Sequence, residues 1–194
     1  MDSTKTVAEG TVTGNRIDNN GGTIDYVETE FGKSAVFNGQ SGIRLPDGLI
    51  DSDSYSVSLW LKPEELTEYT TTFFGARDSN HWVSLVPKGH AGVGHNTMVW
   101  SGTEWYDANS GLAIQPNTWT HLAFTVNQRK ITIYVNGKET FKGIDFPDVF
   151  TTSNGLFSLG VNWWDTPYKG LMDELRIYQG SLSVEEIVDL SQTK

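Results

Sequence analysis

The stretch Ile131-Thr132-Ile133-Tyr134-Val135-Asn136-Gly137 decides how the rest of the chain is read. Ile131, Ile133 and Val135 alternate with Thr132 and Tyr134, which is the period-two pattern of a strand with one buried face. Asn136-Gly137 follows at once, and this pair supplies the positive φ angles of a type I′ hairpin turn. Upstream, Asn127-Gln128-Arg129-Lys130 joins Val126 to Ile131 as a second tight connection. Antiparallel strands joined by short turns are therefore expected.

The same punctuation extends in both directions. Short apolar or alternating runs, separated by Gly, Asn, Asp and Pro clusters, predict further strands. They fall near Thr11–Thr13, Ala35–Phe37, Ile43–Leu45, Ser56–Leu61, Thr71–Gly75, Trp82–Val86, Met98–Ser101, Thr120–Val126, Leu156–Gly160 and Glu174–Tyr178. One helix signal stands out near the end. In Ser183-Val184-Glu185-Glu186 the serine caps the helix and Glu186 reaches back, and Ile187 and Leu190 give an apolar edge. Many short strands with one terminal helix predict an all-β fold, a two-sheet antiparallel β-sandwich of jelly-roll type with a short C-terminal helix. No repeat, linker or low-complexity stretch divides the chain, so one domain over 1–194 is expected, with its core at about 7–190.

Composition narrows the partners. The 194 residues are 37% hydrophobic, enough for a core, and 20% charged, too few for a disordered chain. The net charge of −10 argues against nucleic acid, anionic polysaccharide and anionic membrane. Neutral ligands and a divalent cation fit better. Without cysteine there are neither disulfides nor thiolate metal sites. The sequence has no apolar run of membrane length and no signal peptide, and the polar start after Met1 suggests a module of a longer precursor.

Several segments carry a resemblance. They are Phe31-Gly32-Lys33-Ser34-Ala35-Val36-Phe37-Asn38-Gly39, Ile43-Arg44-Leu45-Pro46 and Tyr55-Ser56-Val57-Ser58-Leu59-Trp60-Leu61-Lys62-Pro63. Asn117-Thr118-Trp119-Thr120-His121-Leu122-Ala123 and Ile133-Tyr134-Val135-Asn136-Gly137 follow, then Gly170-Leu171-Met172-Asp173-Glu174-Leu175-Arg176-Ile177-Tyr178 and Leu182-Ser183-Val184-Glu185-Glu186-Ile187. In this order they resemble the concanavalin A-like, laminin-G-like jelly-roll family over nearly the whole chain. That fold hosts lectins, adhesion modules and glycosidases, so the likeness is more specific for fold than for function. Bacterial domains of this appearance are often carbohydrate-binding modules attached to secreted glycoside hydrolases.

The strand at 174–178 raises a metal question. Leu175 and Ile177 should face the core, and Asp173 falls on the same face by period two. An inward carboxylate must be paired or ligate a cation, and Ca²⁺ takes oxygen ligands. The resemblance places a structural Ca²⁺ on Asp173. Asn38 and Gly39 are candidate further ligands, and the polar loop Asp18, Asn19, Asn20 and Gly22 could close over the ion.

Seven tryptophans are many for an all-β chain. Trp60 and Trp119 lie in strand segments and are expected in the core. Trp82 and Trp100 stay open between core and site. Sugars present C–H faces on which aromatic rings stack, with polar side chains reading the hydroxyls. The 95–107 and 162–169 connections are rich in both. Adjacent Trp163 and Trp164 cannot both point inward if that stretch is extended. Trp105, Tyr106, Trp163, Trp164 and Tyr168 are therefore the expected stacking surfaces. Asp107, Asn162, Asp165, Arg77 and His95 are the expected hydrogen-bonding partners.

Catalytic signatures are missing. Glucan hydrolases on this fold resemble one another in three closely spaced acids on one strand, as Glu-x-Asp-x-x-Glu or Glu-x-Asp-x-Glu, whereas Glu28-Thr29-Glu30 lacks the third and Asp173-Glu174 points to opposite faces. His81, His90 and His95 lack zinc-site spacing, and His121 reads as a core histidine. The expected function is a non-catalytic carbohydrate-binding module of a secreted bacterial glycosidase. It would be a monomer that takes a neutral poly- or oligosaccharide and works beside the catalytic domain of the same parent chain. The alternatives are a calcium-dependent adhesion or protein-interaction module and a glycan hydrolase or lyase.

Overall fold

The computed structural model of the chain describes residues 6–192. Fourteen strands run in chain order among these residues. They are β1 (Thr11–Thr13), β2 (Asp25–Thr29), β3 (Gly32–Asn38), β4 (Gly42–Leu45), β5 (Ser54–Pro63), β6 (Phe73–Asp78), β7 (His81–Val86), β8 (Met98–Ser101), β9 (Tyr106–Asn109), β10 (Thr120–Asn127), β11 (Lys130–Val135), β12 (Lys138–Gly143), β13 (Leu156–Leu159) and β14 (Lys169–Gln179). One α-helix, α1 (Val184–Gln192), follows. The strands form two antiparallel seven-stranded sheets, β1-β4-β13-β6-β7-β8-β9 and β12-β11-β10-β5-β14-β3-β2. The all-β sandwich expected from the sequence is the observed fold.

The two inner faces meet in a core that includes Phe37, Leu59, Phe73, Leu85, Phe124 and Phe157. Both predicted tight turns form. Val135 pairs with Lys138 across Asn136-Gly137, and Asn127 pairs with Lys130 across Gln128-Arg129. All four loop residues have positive φ, the type I′ geometry that matches strand twist. The capping box also forms: Ser183 Oγ accepts from Glu186 N at 3.2 Å, and Glu186 Oε2 accepts from Ser183 N at 2.8 Å. The helix buries Ile187 on Ala123 and Tyr134, covering part of the outer face of the second sheet.

Strands β2, β9 and β12 were not apparent in the sequence. Each lies at a sheet edge. An edge strand need bury neither face fully, so it loses the apolar alternation that betrays a central strand. Along β2 the pattern is exposed nearly throughout.

Strand β14 corrects the parity expected for Asp173. Met172 pairs with Leu61 and Asp173 with Trp60, while Ile177 pairs with Val57. Met172 lies buried in the inter-sheet core, and Ile177 packs against it. An even and an odd position can share a face only if the strand slips. A β-bulge between Asp173 and Arg176 provides the slip, with Glu174 in the left-handed region at φ 51°. Asp173 therefore points to the opposite side from Ile177.

The outer face of the second sheet also holds His121, fully buried, with Nε2 2.8 Å from Ser58 Oγ. Trp60 is buried beside it at 5.3 Å between ring centroids, and Phe31 lies over both Trp60 and the half-buried Trp119. Burial, with Arg176 nearby, lowers the His121 pKa from 6.5 to about 4. A group whose pKa is depressed by folding binds protons more readily when unfolded. Stability is thus complete above about pH 6.5 and declines as pH falls toward 4, by about 3 kcal/mol from this residue. Thermal melts between pH 7 and 4 should show this decline, and His121→Gln should flatten it.

Candidate functional site

The outer face of the first sheet is also apolar. Phe74, Ala76 and Trp82 form one buried group there with Ile17, and Val86, Val93 and Met98 form another. An apolar outer face cannot be left to water. Two covers meet the need. The connection after β7 lays Val93 over one end. The 162–168 segment and the 14–20 loop cover the other, through Trp163 and Ile17. Trp100 touches both groups and floors the gap between them.

That gap is a cleft of about 400 Å³ lined by Tyr69, His90, Trp100, Trp105, Asp107 and Asp165. The rings form one connected cluster. Trp82 is its buried base, edge-to-face with Trp100 at 4.8 Å and tilted against Trp164 at 5.7 Å. Trp105 lies 5.7 Å from Trp100, and Tyr69 lies 5.2 Å from it on another side. Tyr69 also stacks on His90 at 6.1 Å. Trp105 is 70% exposed in the cleft lining, whereas Trp164, 45% exposed, joins the ring cluster through Trp82 and lies outside that lining.

The polar groups are held in place. His90 Nε2 lies 3.0 Å from Asp107 Oδ2. Asp107 pairs with Trp100 across β8 and β9, which puts its side chain on the outer face. Asp165 Oδ2 accepts from Asn162 Nδ2 at 2.7 Å. Asn162 Oδ1 in turn accepts the backbone N–H groups of Trp164 and Asp165, at 2.9 and 2.8 Å. Burial raises the Asp165 pKa above the ordinary carboxylate value, opposed by the Asn162 bond and by Arg16. Loop-to-loop bonds complete the frame: Tyr69 N donates to Lys88 O at 3.1 Å and Thr70 Oγ1 to Thr166 O at 2.9 Å.

The structure brings Trp105, Asp107 and Asp165 of the expected site into the cleft lining, with Trp164 and Trp163 packed beside it on Trp82 and Phe74. Trp163 packs edge-to-face on Phe74 at 5.4 Å and donates Nε1–H to Asp18 Oδ2 at 2.9 Å, so it braces the loop. Five expectations need correction. Tyr168 is 1% exposed, packs on Phe37 and donates to Leu171 O, so it offers no stacking surface. Tyr106 turns away from the cleft, because strand alternation puts it opposite to Asp107. It packs on Phe146 and donates to Ile144 O at 2.8 Å. Asn162 is 2% exposed and spends its side chain on its own loop. Arg77 sits at the bulged end of β6, outside the cleft lining. His95 pairs with Glu68 at 3.0 Å, also outside it. Tyr69, His90 and Trp100 line the cleft instead. Period two gave a signal for Trp100, since Val99 is apolar and inward; Tyr69 and His90 lie in loops without such a signal.

The expected calcium ligands do not converge. Asp173 Oδ2 accepts from Ser34 Oγ at 2.6 Å and Oδ1 from Glu174 N at 2.7 Å. Asn38 pairs with Lys169, whereas Asp173 lies beside Ser34, four residues along β3 and roughly 13 Å away. Asn38 Oδ1 accepts from Gln40 N, and Gly39 N donates to Tyr168 O. Among the described residues, no group of three or more His, Asp or Glu side chains could hold a metal ion. The Asp18–Asn20 stretch belongs to the cleft instead: Ile17 N donates to Asn162 O, and Asp18 takes the Trp163 bond. Gly22 turns away at φ +92°, where a Cβ would lie 2.2 Å from Thr13 O.

Two antiparallel seven-stranded sheets packed face to face, closed by one short terminal helix, define the jelly-roll class of all-β folds. Residues 37–188 match the model of the concanavalin A-like lectin/glucanase superfamily, and the chain belongs to that family. Among solved structures, domain 4 of AbnA, a GH43 extracellular arabinanase from Geobacillus stearothermophilus in complex with arabinotriose, is 61% identical. The match covers 94% of this chain and 88% of that one, with a TM-score of 0.91. The binding domain of Paraclostridial mosquitocidal protein 1 shares the fold at 15% identity, covering 95% of this chain and 47% of that one, with a TM-score of 0.67. So does a pentraxin from Limulus polyphemus, at 12% identity, 78% and 75% coverage and a TM-score of 0.60. A comparison with curated protein sequences returns no match.

Two outcomes follow from this geometry. EDTA should leave the melting temperature unchanged, because the Asp173 carboxylate is already satisfied by Ser34 and its own backbone; a fall of several degrees would restore the metal. Gly102→Ala should destabilise by about 1–3 kcal/mol in chemical denaturation, because its Cβ would meet the Trp82 ring at 2.1–2.5 Å.

Proposed function

We propose that the domain binds an arabinose-containing oligosaccharide or polysaccharide in the Trp100–Trp105 cleft, without hydrolysing it, as part of a secreted glycoside hydrolase chain. The observation that carries this is the 70% exposed Trp105 beside Trp100, with Tyr69, Asp107 and Asp165 in the same cleft lining. Sugar C–H faces stack on such rings, and the two carboxylates accept hydrogen bonds from hydroxyls. Support comes from the 61% identical domain, whose structure contains arabinotriose and whose parent is an extracellular arabinanase.

The role is one of proximity. A modest affinity suffices when the linked enzyme gains in effective concentration at its polymer. Each carboxylate already has a protein partner, Asp107 in His90 and Asp165 in Asn162, and this arrangement suits steady hydrogen-bond acceptance.

Titration of arabinotriose by calorimetry tests the reading. Trp105→Ala should weaken binding about tenfold or more, equivalent to about 1.4 kcal/mol. Tyr106→Phe and Tyr168→Phe should leave affinity unchanged, because both hydroxyls serve the protein's own backbone. Equal affinity of wild type and Trp105→Ala would reject the cleft as the site.

A further inference from the structure

The turn between β8 and β9 has an unusual backbone. Ser101 pairs with Tyr106, which leaves a loop at 102–105. Glu104 and Trp105 are both left-handed within it, at φ 59° and 51°. Left-handed backbone suits Gly and Asn; a Cβ there crowds the carbonyl oxygen. The same chain obeys this preference at Asn136-Gly137 and departs from it at the Gln128-Arg129 turn, where φ is 48° and 65°. Tyr69, on the facing wall of the cleft, is left-handed as well, at φ 66°. Strained non-glycine backbone persists where the surroundings over-determine it, and it concentrates at ligand sites.

The surroundings here are specific. Gly102 lies against the face of Trp82 and donates its N–H to Trp82 O at 3.3 Å, which fixes where the turn begins. Thr103 Oγ1 donates to Asn80 O at 3.4 Å. At the other end Tyr106 is anchored through its hydroxyl to Ile144 O. Between these anchors the chain has few residues in which to reverse, and Glu104 and Trp105 take the left-handed geometry. The Glu104 side chain is not in the cleft lining; it reaches Arg129 of the β10–β11 hairpin at 3.9 Å.

We propose that this turn is a strained mount that holds Trp105 pre-organised over the cleft, and that Glu104 is a positioning residue for ligand binding. The inference rests on the reading that sugar stacks on Trp105. A rigid Glu104 keeps the indole in one orientation before the ligand arrives, so less freedom is lost on binding. The stored strain lowers stability, so relieving it should act on stability and on affinity in different ways.

Four variants separate the possibilities, each measured by thermal melting and by arabinotriose titration. Glu104→Asn accepts left-handed geometry while staying restricted. It should raise the melting temperature by about 2–4 °C and keep affinity within about twofold. Glu104→Gly also removes the strain but frees the backbone. It should not lower the melting temperature, and it should weaken binding about threefold to tenfold. Glu104→Gln keeps the strain and removes the charge facing Arg129, so both readouts should stay near wild type. A lower melting temperature for Glu104→Asn would overturn the strain. Unchanged affinity for Glu104→Gly would overturn the positioning role, and so would loss of affinity in Glu104→Gln, which would assign the role to the ion pair. Trp105→Ala distinguishes the two levels. If it leaves affinity unchanged, the cleft reading falls and the proposal with it. If it weakens binding while Glu104→Gly does not, only the positioning role falls.

Discussion

An apolar outer face on the first sheet is the constraint from which the rest of this structure follows. In a two-sheet sandwich the inner faces satisfy each other, and the outer faces ordinarily turn polar residues to water. Here Phe74, Ala76, Trp82, Val86 and Met98 alternate outward on β6, β7 and β8. Fully burying one such side chain is worth about 1.5–3 kcal/mol. Loops from three parts of the chain are therefore drawn over the sheet, and hydrogen bonds between Ile17 and Asn162, Thr70 and Thr166, and Tyr69 and Lys88 join them. The cover stays open over Trp100, and that opening is the cleft. Stability of the sheet and shape of the site thus share one cause, with Trp82 at the base of both.

The same view explains the 14–20 loop. As a sequence it reads as a polar, oxygen-rich stretch suited to a cation. In the fold its one apolar member, Ile17, is 2% exposed beneath Trp163 and Phe74, and Asp18 receives the indole N–H. A carboxylate that satisfies a tryptophan donor and a carboxylate that awaits a metal look identical in sequence. Which one is present depends on where a residue 145 positions away arrives. Asp173 teaches the same lesson through a different mechanism. Period two would put it inside, but the left-handed Glu174 shifts the register and moves it to the outer face, where Ser34 meets it.

The sequence showed the fold through its central strands and its turns, since burial on a regular strand leaves a period and a type I′ turn leaves Asn-Gly. It hid β2, β9 and β12, whose edge positions impose no period. Of the residues expected at the candidate site, Trp105, Asp107 and Asp165 come to line one cleft, whereas Tyr168 and Tyr106 pack on the core, because an aromatic residue near a loop reads the same whether it faces the cleft or the core. Tyr69 and His90 carry no sequence signal for a related reason. They come from other loops, and only tertiary contact places them against Trp100.

The division of labour within the 162–165 segment shows why a buried polar side chain can matter to binding without touching a ligand. Asn162 forms three hydrogen bonds, two to the backbone N–H groups of Trp164 and Asp165 and one to the Asp165 carboxylate. Its own carbonyl accepts from Ile17 N. One amide therefore fixes a stacking ring and a hydrogen-bond acceptor relative to each other and to the loop beneath. Burial of Asp165 makes its charge costly, which the raised pKa records, and the amide offsets part of that cost. In the proposed sugar complex, a ligand hydroxyl donating to Asp165 would offset more of that cost.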